Sequence, residues 1–324
     1  MPPFSCRYAG VGGSGQTERM TRSDVQRMRV SRPDGAELAV EVIGEAGHPL
    51  VLLVAGADCS MDWWRPEFCA LLVARRLRVI RYDQRGTGET TLGPPGGRRE
   101  GLQTALEDAL AVLDAATALG PGGAVSAGAA SAAHWVGFSA GGWIAQLAAL
   151  DHPDRVRSLT LVSTRPTGPG SADADLPEVA DRLAATWEHP RPEPDWSDET
   201  AVVEHFIEVD RDYAGDEFDE AHERTIWTAT VRRSPGMHRD EGGADVFDAN
   251  VHWRERLGSL RVPTTVLHGT ADPLFPIGNG EALAREIPGA RFVRLPGVGH
   301  ELPPRAWGAV AEAVASAAAR AGSS

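Results

Sequence analysis

Gly137-Phe138-Ser139-Ala140-Gly141 stands between an apolar run, His134–Phe138, and a segment of helical period, Gly141–Leu150. A strand that turns at once into a helix through G-x-S-x-G places its serine on a sharp, strained bend, with the hydroxyl raised above the sheet. The flanking glycines let neighbouring backbone approach where a Cβ would clash. The serine also sits near a helix N-terminus, where developing negative charge is favoured. This pentapeptide therefore predicts a nucleophile, Ser139, and a strand-turn-helix unit around it.

The same rhythm extends in both directions. Leu50-Val-Leu-Leu-Val54 is a short unbroken apolar run, the mark of a strand buried on both faces, and similar strand-like runs occur at Leu77-Arg-Val-Ile-Arg-Tyr82, Val156–Val162, Thr264–His268 and Arg291–Leu295. Helix-period segments fall at about 62–75, 102–118, 141–151 and 305–320. Strands alternating with helices imply parallel strands joined by right-handed crossovers. Before them, Leu38, Val40 and Val42 alternate in a period of two behind a Pro33-Asp34-Gly35 turn, as expected of an antiparallel hairpin. The fold class is α/β, with a mostly parallel sheet covered on both sides.

A serine hydroxyl needs a base, and the base needs an orienting carboxylate, in the chain order Ser, acid, His. Thr264-Thr-Val-Leu-His-Gly-Thr-Ala-Asp-Pro273 carries Asp272 to the loop after a buried strand, and Leu295-Pro-Gly-Val-Gly-His300 delivers His300 after the last strand and before the final helix. His268 reads as a packed strand-end histidine. Asp83, in Tyr82-Asp-Gln-Arg-Gly-Thr-Gly88, reads as a turn anchor. Acyl chemistry also requires two backbone N–H groups facing the oxyanion. Ala140, directly after the nucleophile, supplies one by position, and Ala57, in Ala55-Gly-Ala-Asp-Cys-Ser60, the other. Cys59 is set aside as a structural thiol, having no histidine beside it.

Composition narrows the chemistry. The 324 residues contain no Lys, which removes Schiff-base and Lys-dependent phosphate-loop mechanisms. A net charge of −13 disfavours nucleic acid as a partner. No apolar run approaches the ~20 residues that span a bilayer. Three cysteines without metal-ligand spacing argue against a disulfide framework and for a cytoplasmic setting, and no metal or cofactor is called for.

Two segments interrupt the pattern. Residues 120–133 are almost wholly Gly, Ala and Ser and read as a connecting loop. From Pro166 to Asn250 the chain holds 22 Asp or Glu against 7 Arg, with Trp187, Trp196 and Trp227 among the aromatics. This acidic helical stretch is the candidate cap, and its three tryptophans are candidate substrate-binding residues for a flat ligand. The domain reading is a tail at 1–27, a catalytic core at 28–164 and 261–324, and a helical cap at 165–260.

Val54-Ala-Gly-Ala-Asp, Ile80-Arg-Tyr-Asp-Gln-Arg-Gly-Thr-Gly88, Gly137-Phe-Ser-Ala-Gly141, Ala271-Asp-Pro273 and Pro296-Gly-Val-Gly-His-Glu-Leu-Pro303 together resemble α/β-hydrolases of the aclacinomycin methylesterase type. The resemblance covers about residues 28–320, least so in the cap. It implies an α/β-hydrolase fold with an eight-stranded sheet flanked by helices and a cap inserted after the sixth strand. It further implies cofactor-free removal of a methyl ester from an aromatic polyketide, so that the expected partner is a small-molecule ester. A departure is Ala55-Gly56 in place of the family's His-Gly before the oxyanion loop.

Overall fold

The computed structural model describes residues 25–92, 101–119, 131–170, 173–234 and 251–322. Eight strands form one sheet in the order β1-β2-β4-β3-β5-β6-β7-β8: β1 (Val25–Ser31), β2 (Glu37–Ile43), β3 (Leu50–Val54), β4 (Arg78–Tyr82), β5 (Ala133–Phe138), β6 (Val156–Val162), β7 (Thr264–Gly269) and β8 (Arg291–Leu295). β2 runs antiparallel to both its neighbours, and β4-β3-β5-β6-β7-β8 are parallel. β1 begins at Val25, paired with Ile43, so Val25–Arg27 belong to the sheet and not to the expected tail. The rest of that tail, with Cys6, and residues 120–130 of the expected loop lie outside the described residues.

The apolar runs are continuous because both faces of the sheet are covered. Leu52, Val54, Ile80, Trp135, Leu159 and Val266 face one core with α2 (Leu102–Ala118) and α3 (Ala140–Asp151), while Val51, Leu53, Val79, Val136, Val162 and Leu267 face the other with α1 (Pro66–Val73) and α8 (Pro304–Ala321). The period of two thus assigns successive residues to opposite cores. Trp135 is wholly buried and donates its indole N–H to the Arg155 carbonyl at 3.1 Å. The expected helix over 62–75 is split: Ser60 caps a short 3₁₀ turn at Met61–Trp63, and Pro66 then opens α1. A helix before β8, α7 (Gly278–Glu286), was not expected from the sequence.

Between β6 and β7 the chain forms the cap helices α4 (Asp181–Glu188), α5 (Glu199–Tyr213) and α6 (Glu220–Arg233). Part of the cap's acidity has a local purpose. Asp198 accepts from the Thr200 and Ala201 N–H groups at the start of α5, and Asp219 from His222 N–H at the start of α6. Arg232 and Arg233 close α6 with the opposite charge. The cap is moored at the end of α6, where Arg233 reaches Asp62 and Asp83 at 2.5 Å each and Thr230 hydrogen-bonds Ser60 at 3.0 Å.

The sheet order places β3 and β5 side by side although β4 intervenes in sequence. Ligands in open parallel sheets bind in the crevice beyond such a switch point, at the carboxyl ends of the strands. The loops after β3, β5, β7 and β8 all open there.

Candidate active site

Ser139 occupies the turn between β5 and α3 with φ 52° and ψ −121°, a region sparsely populated by non-glycine residues and worth about 1–3 kcal/mol of strain. The surroundings hold it there. Ser139 N–H donates to the Val162 carbonyl at 3.0 Å and its own carbonyl accepts from Gly142 N–H at 2.8 Å. A Cβ on Gly137 would fall 2.6 Å from the Gly141 carbonyl carbon, and one on Gly141 would fall 2.5 Å from the Ala55 carbonyl oxygen. The close approach read from the pentapeptide is therefore between α3, β5 and the end of β3.

Asp272 and His300 come to the same point from β7 and β8. His300 Nε2 lies 2.9 Å from Ser139 Oγ, and His300 Nδ1 lies 2.9 Å from Asp272 Oδ2. All three side chains are buried. Asp272 Oδ1 accepts from the backbone N–H groups of Leu274 and Phe275, both at 2.9 Å, which leaves Oδ2 to the imidazole. With Nδ1–H donated to Asp272, the Nε2 lone pair faces the serine hydroxyl and can take its proton. Phe138 and Phe275 flank the imidazole at 5.1 and 5.2 Å between ring centroids.

The other singled-out residues separate by role. His268 is wholly buried, its Nε2–H donates to the Phe275 carbonyl at 2.6 Å, and burial pushes its pKa down, so it packs neutral behind Asp272. Asp83 accepts from Met61 and Glu89 N–H groups and from Arg233, as an anchor. Burial pushes the Cys59 thiol well up, which keeps it protonated and unreactive. Ala140 is the first residue of α3, where an N–H has no acceptor within the helix. Ala57 lies exposed on the loop after β3. The three tryptophans are not brought together. Trp227 is buried and stacked on Phe206 at 4.0 Å in the cap's own small core, and the half-buried Trp196 meets the edge of Phe206. Trp187 is 50% exposed, beside the Tyr213 hydroxyl.

Residues 48–303 match the family described as the alpha/beta hydrolase fold. The chain belongs to the α/β-hydrolase family. It is a hydrolase. Rhodomycin D methylesterase of Streptomyces peucetius is 30% identical over 301 residues, spanning 85% of this chain and 92% of that protein. 3-Oxoadipate enol-lactonase 1 of Acinetobacter baylyi is 25% identical over 272 residues, spanning 82% and 87%. The crystal structure of a hydrolase from Pseudomonas aeruginosa PA01 superposes with a TM-score of 0.61 at 26% identity, covering 92% of this chain and 98% of the other.

Several residues of this α/β-hydrolase that bear on the site gave no signal in the sequence. Tyr213, at the end of α5, accepts the His300 backbone N–H on its carbonyl at 2.8 Å and places its ring 6.3 Å from the imidazole. The cap and the histidine loop meet there almost atom to atom: a Cβ on Gly215 would lie 2.5 Å from Gly299 N, and one on Gly299 would lie 2.5 Å from the Tyr213 carbonyl oxygen. Behind this seam lie three carboxyls, Asp210, Glu223 and Glu301. Burial, opposed by hydrogen bonds from Trp227 and Glu223, pushes Asp210 up to about 7. Burial and repulsion from Asp210 and Glu301 push Glu223 up to about 9. Glu223 thus holds its proton well above the usual carboxylate range and is hydrogen-bonded to Asp210. Glu223 sits on the buried stripe of α6 with Ile226, Trp227 and Thr230, a helical spacing that its charge disguises.

Proposed function

We propose that this α/β-hydrolase is a serine-dependent carboxylic ester hydrolase. The observation that carries the reading is the unbroken chain from Ser139 Oγ through the His300 imidazole to the Asp272 carboxylate, with both links at 2.9 Å. Ser139 attacks the ester carbonyl as His300 Nε2 takes its proton, and Asp272 stabilises the imidazolium that forms. The backbone N–H groups of Ala140 and Ala57 receive the oxyanion. The imidazolium returns its proton to the departing alcohol, and water then cleaves the acyl-enzyme by the same path. Every step uses groups of this chain and water, so the mechanism needs no metal or cofactor.

The substrate in this proposal is the methyl ester of a bulky aromatic polyketide, supported by the identity to rhodomycin D methylesterase over most of both chains. Trp187, half exposed on the cap beside Tyr213, is the most exposed of the three cap tryptophans and presents its ring to such a ligand. The enol-lactonase relative favours a second reading, opening of a lactone by the same acyl chemistry. The partner is a small molecule in either case, and the overall charge of −13 speaks against nucleic acid. Among the described residues no helix is long and apolar enough to cross a membrane, which fits the proposed cytoplasmic setting.

A comparison of kcat/KM for a methyl ester of an aromatic polyketide, a simple short-chain aryl ester and an enol-lactone tests this reading. The expected order puts the polyketide methyl ester first. Preference for the lactone would replace the substrate assignment, and absence of turnover of all three would remove the esterase reading.

A further inference from the structure

The segment Tyr82-Asp-Gln-Arg-Gly-Thr-Gly88 contributes no member of the triad, yet three of its consecutive side chains bridge separate elements of the fold. Asp83 holds Met61 N–H and the cap's Arg233, and Arg85 holds Asp108 at 2.6 Å. Between these two anchors, Gln84 Nε2 donates to the carbonyls of both Ala55 and Gly56, each at 2.9 Å. The carbonyl of Gln84 is itself capped by Thr87, whose N–H and hydroxyl lie at 3.0 and 2.9 Å. Its backbone is thus fixed on three sides before its side chain reaches the neighbouring loop.

The peptide unit joining Gly56 to Ala57 is planar and trans, so its N–H points opposite to its C=O. A donor that captures the Gly56 carbonyl therefore sets the direction of the Ala57 N–H, away from Gln84. The bond to the Ala55 carbonyl does the same for the Gly56 N–H. This loop lies against the nucleophile: a Cβ on Gly56 would be 3.2 Å from the Phe138 ring and 3.4 Å from Ser139 Cβ. Nothing else described fixes both carbonyls, although Cys59 N–H adds a longer bond, 3.3 Å, to the Gly56 oxygen.

We propose that Gln84 is the positioning residue of the oxyanion hole, holding the loop after β3 so that the Ala57 amide faces the tetrahedral intermediate. The proposal rests on the serine-esterase reading above and assigns that reading a further residue. Loss of one oxyanion donor costs on the order of 10²–10³ in kcat. Loosening a donor without removing it should cost less, about tenfold or more. Gln84→Ala and the near-isosteric Gln84→Met remove the donor. Gln84→Glu replaces it with a carboxylate that repels both carbonyls and should be the most damaging of the three.

The test measures kcat and KM on an aryl ester, the inhibition constant of phenylboronic acid and Tm. Phenylboronic acid forms a tetrahedral adduct on a serine nucleophile and so reports on the oxyanion site. The expected result is a fall in kcat of about tenfold or more, KM within about twofold, phenylboronic acid affinity falling in parallel with kcat, and folded variants. A kcat within twofold of wild type in all three variants would overturn the proposal. So would a lowered kcat with unchanged phenylboronic acid affinity. Failure of all three to fold would also overturn it, making Gln84 a structural residue. Full aryl-esterase activity in Ser139→Ala would instead remove the reading on which the proposal rests, and separates the two failures.

Discussion

Gly141→Ala tests the packing that seats the nucleophile. Gly141 is the second residue of α3 and passes the end of β3, where an added Cβ would lie 2.5 Å from the Ala55 carbonyl oxygen and 2.7 Å from the Val54 carbonyl carbon. Comfortable non-bonded separations are about 3.5 Å or more, so the methyl intrudes by about 1 Å. The atoms it meets are backbone of a central strand and cannot rotate away. Overpacking of this kind costs typically 1–3 kcal/mol, and the immobile partners place it near about 3. Alanine's better helix propensity returns up to about 1 kcal/mol, leaving a net loss of about 2. At roughly 2–4 °C per kcal/mol, Tm should fall by about 4–8 °C. Gly258→Ala is the control, because nothing lies within 4 Å of a Cβ at that position. Its Tm should stay within about 2 °C of wild type or rise, through loss of unfolded-state freedom. Thermal unfolding followed by circular dichroism separates the two. If the variants melted together, the close seating of α3 on β3 would be refuted.

Arg233→Met should lower Tm and raise KM, because it leaves Asp83 buried without its cation, a loss of about 3 kcal/mol, and frees the end of α6; an unchanged Tm would show that Arg233 does not moor the cap. Glu223 is raised in the fold to about 9 from an ordinary value near 4.5, so its contribution to stability is complete below that ordinary value and is lost as pH rises towards 9. Glu223→Gln should therefore flatten the decline of Tm between neutral pH and pH 9, and an identical decline in both proteins would count against the buried carboxyl group. Trp227→Leu should destabilise by about 2–4 kcal/mol, since the ring is buried against Phe206, while Trp187→Leu should leave Tm within about 1 °C and raise KM for an aromatic ester. The opposite pattern in Tm would reverse the assignment of the two rings.

The parts of the fold legible in the sequence are those where one residue's burial is repeated by its neighbours. Leu50–Val54 reads as a strand because helices cover both faces and no polar residue breaks the run, and Val156–Val162 keeps enough apolar residues, Val156, Leu159, Leu161 and Val162, to read the same way. Ser139, Asp272 and His300 each follow such a strand, and the glycine-rich turns that carry them stand out in the chain. β1 is an edge strand with most of its residues partly or fully exposed, so its start at Val25 merged with the preceding tail. α7 begins Gly278-Asn-Gly280, a poor helix signal that packing against β7 and β8 overrides. In the cap, charge masked burial: Glu223 is 2% exposed, and the aromatic signal of Trp227 marked a local core where substrate contact was expected. Gln84 was unreadable for a topological reason, since its bonds exist only because β4 lies beside β3 and the loops beyond their ends meet.

The proposed mechanism turns on Ser139 as the nucleophile. Reaction with a fluorophosphonate, followed by intact-mass measurement and peptide mapping, tests it most directly. One adduct is expected, on the peptide carrying Gly137–Gly141 and localised to Ser139, absent in Ser139→Ala, whose esterase activity should fall by at least about a thousandfold with an unchanged Tm. An adduct on any other residue, or near-native turnover by Ser139→Ala, would contradict it.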